Sequence, residues 1–519
     1  MTTRRDTLKS LLACSMIVAA PNALGAMAAL APARGQTLKI PPLLEGDVDG
    51  ALKGGERNFS LTLQQGLTRF YQDVDTPTWG INGSYLGPTL RMRDGDKVRI
   101  RVTNNLDENS VLHWHGMNVP AKADGGPHQQ IMPGGTWTAE FQVKQPAASC
   151  WYHSHAMHMS GPQVYKGLAG MLIVADDSSD QLDLPSEYGV DDIPVILQDR
   201  IFDRDGNMVY PHRMEDHMIG VRGNTILVNG TLNPLFHART GRTRLRLLNG
   251  ANARNFTLAL SNGQSFWQIA TDCGLMEEPV ELTQLVLTPG ERAEIIVDTR
   301  GTEPFKLINV PVPASNIPYY GLFTQLLMEM DRQAFDILTL QPSGQSSEQS
   351  PSEPLALPGR LAHIDWIPAS AATITRPILL QMGEGRGNGG GLGGGPRSRK
   401  EFGGWGGGTH KINGRKMDMN FIEATILAGT TEIWEIANET PMIHPFHIHK
   451  VHFQILERNG MPPLPSERGF KDTVNVPPHG RVKVIARFTG PGDPMLPYMF
   501  HCHILEHEDH GMMGQFMIV

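Results

Sequence analysis

Three short stretches of the chain alternate apolar and polar residues with a period of two: "KVRIRV" from Lys97, "RLRLL" from Arg244 and "EIWEI" from Glu432. Residues two apart share one face of a strand, so this alternation predicts half-buried β-strands. Each stretch sits in the same frame. "INGSYLGPTLRMRDGDKVRIRVTNN" begins at Ile81, "VNGTLNPLFHARTGRTRLRLLNG" at Val228 and "INGRKMDMNFIEATILAGTTEIWEIAN" at Ile412. All three run from a β-branched residue and Asn-Gly, through a variable segment, to a strand ending in Asn. A Pro/Gly turn leading into another strand follows each time: "MPGGTWTAEFQV" from Met132, "LTPGERAEIIVD" from Leu287 and "VPPHGRVKVIARF" from Val476. The repeats start a whole domain apart, which predicts three related all-β domains and not a short-period solenoid.

The breaks between repeats set the expected organisation: domains over 45–180, 185–340 and 361–519. A polar linker over 341–360 carries "QPSGQSSEQSPSEP". Inside the third domain, 383–408 is a Gly-rich, low-complexity segment, expected to form a mobile loop. The first 35 residues read differently. Arg4 and Arg5 precede a modest apolar run and small residues around Ala31 to Ala33, which resembles a signal peptide of the twin-arginine type. Pro21, Asn22 and Gly25 interrupt the run well short of the roughly 20 residues a membrane span needs. The expectation is export through the twin-arginine machinery, cleavage, a periplasmic location and no stable membrane insertion.

Composition narrows the function classes. A net charge of −8 and 7% aromatic residues supply no basic field and no stacking platform, so nucleic acid is not an expected partner. Of four cysteines, Cys14 leaves with the leader, so Cys150, Cys273 and Cys502 remain. An odd number in an oxidising compartment leaves one thiol without a disulfide partner. Cys502 is the candidate for metal ligation; Cys150 and Cys273 either pair or are simply buried.

Histidines carry the chemistry. "HWHG" holds His113 and His115, "WYHSH" His153 and His155, "HPFHIH" His444, His447 and His449, and "HCHILEHEDHGMM" His501, Cys502, His503, His507 and Met512. Each motif contains His-x-His, and in a strand both imidazoles then face one site. By the same parity Cys502 faces away from His501 and His503, toward His444 and His507, with Met512 near enough to approach axially. Two imidazoles, a thiolate and a weak thioether are the ligands of a blue-copper electron-transfer site. Zinc competes for any His/Cys set, but it has no redox role that would join two sites through one thiolate.

These motifs resemble those of the multicopper oxidases, and among them the exported bacterial cuprous oxidases of the CueO/CopA-like kind. The resemblance covers nearly the whole chain after the leader. It implies three cupredoxin-like Greek-key β-sandwich domains, with the second as a spacer, and four copper ions. Type 1 copper would be held by His444, Cys502, His507 and Met512, and type 2 by His113 and His447. The two type 3 ions would take His115, His153 and His503, and His155, His449 and His501. Asp124 and Glu506 match proton-supplying positions, and Met442 a substrate-copper methionine. The activity implied is one-electron oxidation of a donor coupled to four-electron reduction of O2 to water. Cu(I), in copper tolerance, is the expected donor, and phenols or aromatic amines are the laccase-like alternative. A non-catalytic copper-binding or structural protein is a third reading. The chain is expected to act as a monomer. It departs from the cuprous oxidases in having the Gly-rich stretch where they carry a Met-rich segment, and Thr440 where they carry a carboxylate.

Overall fold

The alternating segments are strands, Lys97–Asn104, Arg242–Asn249 and Thr431–Asn438. In the computed structural model, which describes residues 36–49, 56–311, 333–344, 355–382, 410–490 and 492–519, each has the same neighbours. Each pairs in parallel with an earlier strand: Glu56–Thr68, Asp192–Arg200 and Ile374–Met382. Each also pairs antiparallel with the strand after the Pro/Gly turn: Thr136–Gln142, Arg292–Asp298 and Arg481–Arg487. A second sheet completes every unit, so the described residues form three β-sandwich domains of two sheets each. The expected leader, the middle of the linker and the Gly-rich segment lie outside the described residues. Among those residues, no helix is long and apolar enough to cross a membrane.

Apolar positions of the alternation build the cores: Val98, Ile100 and Val102 in the first domain, Leu245 and Leu247 in the second, Trp434 and Ile436 in the third. The middle strand departs from the half-buried expectation, because Arg244 and Arg246 on its outer face are buried as well. Arg246 reaches Asp192 (Nε to Oδ1, 2.7 Å) and the first domain's Ser149 hydroxyl (3.0 Å), and Glu294 closes the network. The first domain therefore covers the face that alternation alone assigns to water.

The repeated asparagines have a common structural cause. Asn82, Asn229 and Asn413 all adopt positive φ (56°, 49° and 50°), which Asn tolerates better than other non-glycine residues. Their side-chain oxygens accept from the backbone N–H of Thr62, Ile196 and Leu379 at 2.7–2.8 Å. Asn104, Asn249 and Asn438, at the strand ends, donate to the carbonyls of Ile131, Leu287 and Val476, where the second element begins. Each such bond is worth about 1 kcal/mol net. Together they lock the frame in which the histidine strands sit.

Candidate metal centre

Strand register brings the histidines together. In the first domain, Leu112–His115 runs antiparallel to Ala148–Ser154 with His113 opposite His153. In the third, His444–Ile448 runs antiparallel to Tyr498–Cys502 with His447 opposite His501 and Phe446 opposite Cys502. The two domains then interleave their rings. His113 stacks on His449 and His115 on His447, each pair with centroids 3.7 Å apart. Among the described residues, donor atoms of His113, His115 and His447 lie within 4.8 Å of one another, as do those of His115, His153 and His503 and of His155, His449 and His501.

The hydrogen bonds identify which nitrogens are free. One nitrogen of each of six rings is occupied: His113 Nδ1 by the Asp124 carbonyl (2.9 Å), His153 Nδ1 by Ser154 O, His447 Nδ1 by Asp472 O, His501 Nδ1 by Cys502 O, His449 Nδ1 by an Asp124 carboxylate oxygen (2.7 Å) and His115 Nε2 by Asp472 Oδ1 (3.0 Å). On the far side, Nε2 of His113, His153 and His447, Nδ1 of His115 and both nitrogens of His503 are buried without a partner among the described residues. The Nε2 atoms of His155 and His449 lie 3.4 and 3.3 Å from Nε2 of His501. Unpartnered buried nitrogens cost free energy unless a cation fills the space they face. Burial first, and in most cases the neighbouring imidazoles, hold these rings below the usual histidine range, so they present neutral lone pairs as metal ligands must.

A second donor set lies on the opposite side of the same strand. His444 Nδ1 and His507 Nδ1 approach Cys502 Sγ at 3.3 and 3.5 Å. Their other nitrogens are fixed: His444 Nε2 by the Thr440 hydroxyl (2.7 Å) and His507 Nε2 by the Met218 carbonyl (3.1 Å). Met512 is fully buried beside them, its N–H donating to the His507 carbonyl and its carbonyl accepting from Cys502 N–H. Burial pushes the Cys502 thiol up, so binding here requires a metal able to displace the thiol proton. Both donor sets suit copper: imidazoles with orienting partners in one, imidazoles and a thiolate in the other.

Besides Asp472, two carboxylates touch the imidazole cluster. Asp124, pushed up to about 8 by burial against the opposing charge of Lys450, contacts His449. The other is Glu508, whose Oε1 lies 3.4 Å from His155 Nδ1 and Oε2 3.2 Å from His501 Nδ1, and which accepts from the Ser160 hydroxyl at 2.5 Å. Glu506, the carboxylate expected from the sequence, is elsewhere. It accepts from Asn252 Nδ2, the Tyr210 hydroxyl and the Val221 N–H, all within 3.0 Å, and from none of the cluster histidines. Met442 also departs from expectation. It is 4% exposed and packed in the third-domain core among the described residues.

The second domain is more than a spacer. Arg292, after the "PG" turn, is fully buried and holds Asp472 with two bonds (2.7 and 2.6 Å). Burial opposes ionisation of Asp472, but Arg292 overrides it and keeps the carboxyl well below the usual carboxylate range. Asp472 in turn positions His115 and His447. Gly290, at φ 85°, lies so close that a Cβ would stand 2.8 Å from the His503 ring. Cys150 and Cys273 flank this network as free buried thiols, Cys273 Sγ donating to Asp472 at 3.3 Å. Arg292→Met leaves a buried carboxylate unpaired, and is expected to cost about 3–5 kcal/mol. The check is a denaturant midpoint; a variant as stable as wild type would mean that the ion pair contributes nothing.

Comparison with known proteins adds three findings. A family model described as multicopper oxidase matches residues 62–179, and a second with the same description matches 392–519. The chain is 36% identical over 468 residues to a multicopper oxidase of Staphylococcus haemolyticus, covering 89% of each chain, and 36% identical over 482 residues to the cell division protein FtsP of Photorhabdus laumondii, covering 93% of this chain and 92% of that one. Its fold matches that of the laccase-like multicopper oxidase CueO of an Ochrobactrum species with a TM-score of 0.79 and 33% identity, over 93% of this chain and 100% of the other.

Proposed function

Since the chain belongs to the multicopper oxidase family and is a copper oxidoreductase that takes O2 and a reducing substrate, we propose that its donor is Cu(I) and that it serves copper tolerance in the periplasm. The observation that carries the choice of donor is the enclosure of His507. Its ring is fully buried and its Nε2 is capped by the Met218 carbonyl, so no phenol ring can lie against the imidazole edge. A monatomic donor bound nearby has no such steric requirement.

Four coppers are part of the proposal. His444, Cys502, His507 and Met512 hold one as type 1, His113 and His447 hold the type 2 ion, and two triads hold the type 3 ions. Those triads are His115, His153 and His503, and His155, His449 and His501. Copper bound in these sets supplies one-electron oxidation of the donor and four-electron reduction of O2 to water. The chain's own part is connection, enclosure and protons. Cys502 is bonded through the main chain to His501 and His503, which makes it the shortest covalent route between the two donor sets. Second-domain residues, Arg292 above all, keep His115 and His447 oriented. Asp124 and Glu508 hold protons against the imidazoles of the cluster; the supplying role inferred for Glu506 is assigned to Glu508 on its position. Export by the twin-arginine machinery, action as a monomer and the domain limits read from the sequence complete the proposal.

Oxidation of phenols or aromatic amines is a second reading, favoured by the 33% identity to the Ochrobactrum protein, whose described activity is toward lignin model compounds. Oxygen uptake by the copper-loaded protein separates the two, with Cu(I) or a simple phenol as donor, each with and without added Cu(II). Fast turnover of Cu(I), with phenol oxidation dependent on added Cu(II), is expected. Fast unaided phenol turnover with slow Cu(I) would replace the first reading with the second.

A further inference from the structure

Three histidines beside His507 belong to neither donor set. His410 opens the strand His410–Ile412, His217 lies on the helix Met214–Ile219, and His510 follows the helix Leu505–Asp509. His410 is 1% exposed and stacks on His507, with ring centroids 3.7 Å apart and 21° between planes. Both rings hydrogen-bond to the Met218 carbonyl. Nε2 of His410 is buried and has no partner among the described residues.

The other two rings complete a pocket of donors. His217 and His510 have centroids 4.4 Å apart, and His510 is an electrostatic neighbour of His410 as well as of His217. His510 Nδ1 donates to the Glu506 carbonyl at 2.6 Å, which leaves its Nε2 as a lone pair. Nδ1 of His217 is buried without a partner among the described residues. No carboxylate is among the electrostatic neighbours of His410; Lys416 is. Around the three rings, Lys416 neighbours His410 and His510 and Asp216 neighbours His217, so imidazoles are the main donors, a ligand type that suits copper. The site is gathered but not closed: the three rings do not bring their nitrogens all within 4.8 Å of one another. A cation must draw them together, as two donors suffice for a soft monovalent ion.

We propose that His217, His410 and His510 form the docking site of the Cu(I) substrate, and that the stacked His410–His507 pair is the entry for its electron. The inference rests on the Cu(I) reading above and places its donor site away from Met442. Each docked ion goes from Cu(I) to Cu(II) and gives up one electron; four such ions, with four protons, balance the reduction of one O2 to two waters.

Silver(I), a redox-silent ion of the same charge and softness, is the probe. Titrated calorimetrically into copper-loaded wild type, it is expected to fill a site that the variant His217→Ala/His510→Ala binds at least tenfold more weakly. The variant's KM for Cu(I) is expected to rise by a similar factor, with blue absorbance and copper content retained. Should the double variant lose its blue band, the single variant His217→Gln carries the same comparison. Equal silver affinity in wild type and variant overturns the site. If Cu(I) turnover is fast and its KM is the same in both, the site fails while the Cu(I) reading stands. If the silver site is present and lost on substitution, but Cu(I) is not turned over, the donor reading fails and the substrate role of the site is overturned with it, leaving only a soft-cation site.

Discussion

Cys502→Ser is expected to abolish the blue absorbance and oxygen uptake together, with the fold retained. The sulfur is the atom on which His444 Nδ1 and His507 Nδ1 converge, at 3.3 and 3.5 Å. A hydroxyl is a hard, weakly acidic donor and does not supply the thiolate on which a blue-copper site depends. The change removes little volume, and Cys502 packs with Phe446, Phe500 and Met512 in a core that is otherwise untouched. The effect is therefore local and complete. Visible absorbance and an oxygen electrode read the two losses; persistence of both in the variant would sink the assignment of Cys502 as ligand and connector.

Glu508→Gln is the second large effect. The carboxyl is enclosed, and burial first and Asp509 second push it well above the usual carboxylate range, so it holds a proton beside His155 and His501. Loss of a positioned general acid typically costs about 10²–10⁴ in rate, and oxygen reduction consumes protons. We expect kcat to fall by about that factor while blue absorbance and copper content remain. Glu506→Gln is the control that decides between two neighbouring carboxylates. Its partners are Asn252, Tyr210 and Val221, so it should alter stability at the contact with the second domain far more than turnover. Equal loss of kcat in both variants would mean that Glu508 has no special place.

The position of Glu506, away from the cluster histidines, shows where reading along the chain stops working. Parity arguments suit "HCH", which is extended through Cys502, and they correctly separate Cys502 from His501. The chain then turns into the short helix Leu505–Asp509, where residues advance about 100° each. Glu506 and Glu508 therefore point apart, and only the helix phase decides which of them meets the imidazoles. Recognising "LEHED" as a helical turn is the signal that would have found Glu508. Met442 differs for another reason: two residues from a ligand in sequence, it lies in the bend before the strand His444–Ile448 and packs into the third-domain core. Asp472 and Arg292 carry no local mark, since an acid at a strand start and an arginine after a turn are common anywhere.

Local pattern determined the three all-β units, the Asn-Gly frame, the four His-x-His pairs and the two faces of the strand that bears Cys502. Those features depend on strand periodicity and on φ preferences of single residues, both of which are written locally. Tertiary structure decided which domains share the cluster, that the second domain reaches into it through Arg292 and Gly290, and that His217, His410 and His510 meet beside His507. These are contacts between segments hundreds of residues apart, set by how curved sheets pack and by burial that no window of sequence contains.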